Sequence, residues 1–163
     1  MNDLNFLLFI ADKMFFAVVC GIIVGFERKL NHSPAAFKTQ ILICVGSMLF
    51  TAMPSYNDHL KVESARIIAQ IVSGVGFLGA GAIIRTGSIN IMGLTTAAWI
   101  WFTASMGIMV GLGYGMSALF VTTTLTAVIT VVRKFERQYF DNQDEILKLE
   151  EKNKEEMIEK KSA

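Results

Sequence analysis

Apolar residues fall into long runs divided by short polar breaks. A hydrocarbon core of about 30 Å takes about 20 such residues as a helix. Backbone groups in lipid must also bond within their own segment, which favours helices over open strands. The runs predict helices over about 5–26, 39–54 and 66–84, with Pro54 ending the second. An uncharged stretch, 86–132, is too long for one span and right for two. Gly111-Leu112-Gly113-Tyr114-Gly115 is the expected break, because glycine clusters mark turns. From about 138 the pattern changes to a charged helix, with pairs such as Asp144 and Lys148 at i,i+4. The expected division is a transmembrane domain over 1–137 and a charged cytoplasmic tail, helical or disordered, over 138–163. That tail reads as a solvated extension, with a short coiled-coil seam between protomers as the alternative.

Composition sharpens this picture. Hydrophobic residues make up 53% of the 163 and charged residues 18%, against about 25% charged in soluble domains. Residues 1–132 carry only seven Lys or Arg and five Asp or Glu, too few to coat a globule in water. An ordinary soluble enzyme and a disordered chain are excluded. A net charge of +1 gives no footprint for nucleic acid. No phosphate-loop, zinc-protease or Ser/His/Asp pattern is visible, so the expectation is not an enzyme. Cys20 and Cys44 sit in apolar runs and are expected to be reduced and buried. The start, Met1-Asn2-Asp3-Leu4-Asn5, lacks the positive stretch of a cleavable signal.

Lysine and arginine in short loops set orientation. With the N-terminus outside, inner segments carry Arg28, Lys29, Lys38, Arg85, Arg133, Lys134 and Arg137, and outer ones carry Lys61 and Arg66. The expected fold is an all-α membrane protein of about five transmembrane helices, N-terminus outside and C-terminus cytoplasmic.

Polar residues inside these runs are the candidates for chemistry, because they are costly in lipid. Glu27 and Arg28 end the first run, as a structural ion pair, a ligand site or an idle surface. Arg66, Gln70 and Ser73 are spaced i, i+4, i+7 and share one helical face. Thr95 and Thr96 open the fourth segment, behind a loop flanked by Arg85 and Asn90. Asp12 is expected to face the bundle as a candidate cation contact, while Lys13 snorkels outward. Gly74, Gly76 and Gly79 match the dinucleotide pattern G-x-G-x-x-G, but no strand precedes them, as that fingerprint needs. With Gly81 they read as a helix-packing surface, or as an unwound segment exposing carbonyls to an ion.

Three blocks of residues resemble a known family. Gly25-Phe26-Glu27-Arg28, Ala36-Phe37-Lys38-Thr39 and Val45-Gly46-Ser47 resemble the opening block of the bacterial MgtC/SapB membrane proteins. The run from Arg66 to Gly81 resembles their central signature, and Gly93-Leu94-Thr95-Thr96-Ala97-Ala98 with Trp101 resembles their third block. One departure stands out: the family's Gly-Leu-Arg-Thr is Ala36-Phe37-Lys38-Thr39 here, which keeps the charge and loses the guanidinium fork.

The resemblance implies a multi-pass protein of the bacterial inner membrane, in a short form without the folded C-terminal domain of longer relatives. It implies a role in magnesium homeostasis, adaptation to low magnesium and virulence. The expected action is non-enzymatic regulation of another membrane protein, such as an F-type ATP synthase or a transporter. Glu27, Arg28, Arg66, Gln70, Thr95 and Thr96 would form one buried polar network. The alternative is a magnesium transporter or channel, with Asp12 and Glu27 as metal contacts. No cofactor is expected beyond Mg2+ as ligand or signal. The bilayer and a partner protein are the expected contacts, with a homo-oligomer left open and nucleic acid excluded.

Overall fold

The computed structural model describes residues 3–31, 33, 35–56, 64–86 and 90–162. Five helices follow one another: α1 (Asp3–Leu30), α2 (Phe37–Tyr56), α3 (Ser64–Ala82), α4 (Leu94–Gly111) and α5 (Gly115–Ser162). Each contains a segment long and apolar enough to cross a membrane, ending at Tyr139 in α5. The chain is a helical, multi-pass membrane protein. Two units are compact in themselves, Met1–Thr126 and Ala127–Ala163.

The expected helices are present with shifted ends. α2 continues two residues past Pro54, within the usual spread of helix termini. The third expected segment, 66–84, stops at Ala82, where Ile83 N–H bonds to the Ala80 carbonyl at 3.1 Å. The chain then forms a small antiparallel hairpin, β1 (Ile84–Thr86) and β2 (Asn90–Met92), with Arg85 opposite Ile91. Three-residue strands carry too short an alternation to read from sequence. Gly93 closes the hairpin at φ +92°, and a side chain there would strike the Ala82 carbonyl. Glycine takes this left-handed backbone without strain.

The break between α4 and α5 falls at the glycine cluster. Tyr114 N–H bonds to Met109 O at 3.0 Å and Gly113 N–H to Val110 O at 2.9 Å, with Gly113 at φ +96°. This is a Schellman turn, which satisfies the last carbonyls of α4. Tyr114 then gives its carbonyl to Ala118 N–H at 2.9 Å, starting α5.

Lipid is as apolar as leucine, so helices in a membrane associate through close packing. α2 packs against both α1 and α4, and α3 packs chiefly on α4. Glycine permits the close approaches. A Cβ on Gly25 would lie 2.7 Å from Phe37 Cα, and one on Gly107 would overlap the Cys44 carbonyl. One apolar cluster joins Ala17 and Cys20 of α1, Cys44, Met48 and Ala52 of α2, Met106 and Val110 of α4, and Ala118 of α5. A second joins Ala35, Val75, Ile100 and Ala104. Both cysteines are free thiols and buried.

Candidate functional site

The last turn of α1 carries two charges into the protein. Glu27 is 4% exposed and Arg28 5%. Arg28 Nη1 lies 3.8 Å from Glu27 Oε2, close enough to neutralise but beyond hydrogen-bond range. The chain just beyond supplies bonds. Asn31 Nδ2 donates to Glu27 Oε1 at 2.9 Å and to the Glu27 carbonyl at 2.6 Å. Ser33 N–H bonds to the Arg28 carbonyl at 3.0 Å. These bonds satisfy carbonyls that a helix end otherwise leaves open. Arg28 Nη2 donates to Ser33 Oγ at 2.8 Å and to Thr96 Oγ1 at 3.2 Å, and the two hydroxyls lie 3.3 Å apart. Guanidinium, carboxylate, amide and two hydroxyls thus form a closed latch between α1, the segment after it and the first turn of α4. It holds no activated nucleophile; it is a buried ion pair tied into the neighbouring segments.

The structure does not join the expected residues into one network. Glu27, Arg28 and Thr96 meet, whereas Thr95 is exposed on the next position of α4. Arg66, Gln70 and Ser73 are exposed on α3. Arg66 and Gln70 line a groove of about 990 Å³ between α2 and α3, with Thr39, Ser47 and Gly74. The reason is topological. Successive spans reverse direction, so the first turn of α3 and the last turn of α1 lie at opposite ends of the bundle. Arg85 and Asn90 have backbones in the hairpin, and their side chains lie outside the described residues. His32, His59 and Lys61 also lie outside them.

Three further expectations change. The small-residue face of α3 does not pack within the protomer: a Cβ on Gly74, Gly76 or Gly81 would meet nothing within 4 Å. Gly79 is the exception, with Ala97 Cβ 3.5 Å from such an atom. Asp12 and Lys13 exchange places. Asp12 is exposed and Lys13 is 8% exposed, its Nζ 4.7 Å from the centre of the Phe9 ring. Asp12 and Glu27 cannot hold one ion together, since fifteen residues of helix separate them by about 22 Å. Among the described residues no three of His, Cys, Asp and Glu are grouped to hold a metal.

A second buried polar contact lies between α2 and α4. Gln40 is fully buried, with Nε2 donating to the Ala35 carbonyl at 3.1 Å. Thr103 Oγ1 lies 2.7 Å from Gln40 Oε1 and 2.8 Å from the Trp99 carbonyl. The sequence signal was a lone amide at the start of an apolar run, which rarely faces lipid. Asn31 and Ser33 left a fainter trace, as small polar residues directly after a helix end.

Comparison with known proteins agrees with this architecture. The MgtC family profile matches residues 14–138. The candidate magnesium transporter YhiD of Escherichia coli (strain K12) is 43% identical over 112 residues, 64% of this chain and 51% of that protein. Protein SapB of Bacillus subtilis (strain 168) is 34% identical over 159 residues, 90% of this chain and 68% of SapB. Protein MgtC of Brucella abortus (strain 2308) is 38% identical over 117 residues, covering 72% and 48%. Against YhiD and the Brucella MgtC, the match spans about half the relative's length. No solved structure matches. The profile takes in the latch, the α3 stripe and at least part of each of the five spans, and the chain belongs to the MgtC family.

Proposed function

We propose that the chain is a non-enzymatic regulator of another integral membrane protein, an F-type ATP synthase or a transporter. It would act in magnesium homeostasis and virulence, in the bacterial inner membrane, with the N-terminus outside. One observation carries the reading. The polar and small residues of α3 (Gln70, Ser73, Gly74 and Gly76) are exposed on the protomer instead of buried in its core. Polar groups facing hydrocarbon are costly, and a second membrane-embedded helix would relieve that cost while the bare glycines admit it closely. The latch at Glu27 and Arg28 holds the bundle that presents this face.

Photocrosslinking from position 70 in cells tests it. Capture of a distinct membrane protein, lost on Gly76→Leu, is the expected result. Crosslinks only to lipid, or only to a second copy of this chain, would overturn it. Cation transport is the competing reading, favoured by the name of the YhiD relative. Proteoliposomes with a magnesium-sensitive dye separate the two: magnesium flux lost on Glu27→Gln would establish transport, and absence of flux is expected.

A further inference from the structure

At the end of the bundle that holds the α4–α5 turn, a second pocket of about 200 Å³ is lined by Asp12, Lys13, Phe16, Tyr114 and residues 115–117. It is smaller than the roughly 300–1,000 Å³ of pockets for drug-sized ligands. Lys13 reaches it from α1. Its Nζ lies 3.6 Å from the position a Cβ on Gly113 would take, against the turn itself. Among the described residues the ammonium has only the face of Phe9 as a partner. A buried ammonium with no bonded anion is costly, and this one borders open space.

A second set of donors borders the same space. The first bond of α5 is made by Ala118 N–H to Tyr114 O. The N–H groups of Gly115, Met116 and Ser117 precede it and are among the donors that a helix start leaves unsatisfied. They carry the positive end of the helix dipole. Gly115 sets their place: a side chain there would run into the Phe16 ring, 2.6 Å away, so α5 begins hard against α1. Cation and helix start therefore converge on one pocket, where an anion would meet both. Asp12, exposed on the neighbouring position, adds one carboxylate to the lining. That carboxylate disfavours a dianion and favours a ligand with its own cation beside a singly charged phosphate.

We propose that this pocket binds the zwitterionic headgroup of a phosphatidylethanolamine-type lipid. The phosphodiester sits on Lys13 and the first turn of α5, and the lipid ammonium sits on Asp12. The pocket shares no residue with the α3 groove, so this assignment stands or falls apart from partner regulation.

Native mass spectrometry of the purified full-length chain in mixed micelles tests it. Phosphatidylethanolamine, phosphatidylglycerol, inorganic phosphate and soluble phosphoethanolamine are the probes. Expected is retention of phosphatidylethanolamine over phosphatidylglycerol, with neither soluble probe competing at equal concentration. Lys13→Met lowers that retention about tenfold or more, the size of one lost charge-assisted bond, and Lys13→Arg preserves it. Asp12→Asn changes an exposed side chain and leaves the fold intact, so it serves even where Lys13→Met unfolds. It is expected to abolish the preference between the two lipids while phosphatidylglycerol still binds. Unchanged preference in Asp12→Asn overturns the proposal, as does a folded Lys13→Met protein that retains the lipid like wild type. Equal competition by inorganic phosphate assigns the pocket to a free anion and overturns it too.

Discussion

Gln40 and Thr103, both buried, meet across the α2–α4 interface with Oε1 and Oγ1 2.7 Å apart. Thr103 has one hydroxyl proton for two acceptors, Gln40 Oε1 and the Trp99 carbonyl. Thr103→Val should cost about 0.6–2 kcal/mol, the range for interhelical hydrogen bonds in membranes. Gln40→Leu with Thr103→Val should cost less than the two single changes added, because neither side of the Oε1–Oγ1 contact is then left unpaired. Thermal unfolding of the four proteins in detergent gives the coupling. Strict additivity would mean that the contact contributes nothing.

Arg28 is the cation of the latch, so its shape matters as well as its charge. Arg28→Met strands Glu27 in the interior and should cost about 3 kcal/mol or more. Arg28→Lys should fall between that and wild type, since one ammonium cannot reproduce the planar fork that sets Nη2 on Ser33 and Thr96 and Nη1 towards Glu27. Glu27→Gln keeps an acceptor for Asn31 and should be milder than Glu27→Ala. Denaturant titration checks the order; an Arg28→Lys protein as stable as wild type would show that the fork is unimportant.

Glycines divide into two groups by what a methyl would meet. Gly107→Ala and Gly25→Ala place a Cβ against backbone of α2, an overpacking expected to cost about 1–3 kcal/mol. Gly76→Ala meets nothing and should leave the protomer's stability unchanged, with a small gain from helix propensity. Measured together by melting temperature, the two groups should separate cleanly. A marked loss in Gly76→Ala would mean that α3 packs more tightly than described.

Cys20 and Cys44 are 1% and 0% exposed and lie in the same apolar cluster. A thiol shielded this way reacts only after local opening. Maleimide labelling of the folded protein in micelles should leave both unmodified, with full labelling in denaturing detergent. Rapid labelling of either would contradict the packing of α1 against α2.

Much of this was readable from the chain because membranes impose a simple rule on length and hydropathy. The five spans and the break at Gly111–Gly115 follow from it directly. Thr96 was legible as a partner for the α1 charges only through its place at the start of a span. The division of the polar residues into a latch and a separate stripe was not legible, since helical spacing says which residues share a face and not what that face meets. Lys13 was misread for the same reason. A lysine one-third into a span can reach water by snorkelling, and nothing local says that Phe9 and the α4–α5 turn will cover it. The hairpin escaped notice because six residues of strand carry almost no periodic signal.

The apolar cluster that ties α1, α2, α4 and α5 contains no residue of α3. The helix with the exposed polar stripe is held instead by the smaller cluster of Val75, Ile100 and Ala104, against α4. Tilting it disturbs only that smaller cluster and leaves the larger shared interior in place. Amide exchange along the third span should then be quicker than in its neighbours, and should slow when a partner protein is bound.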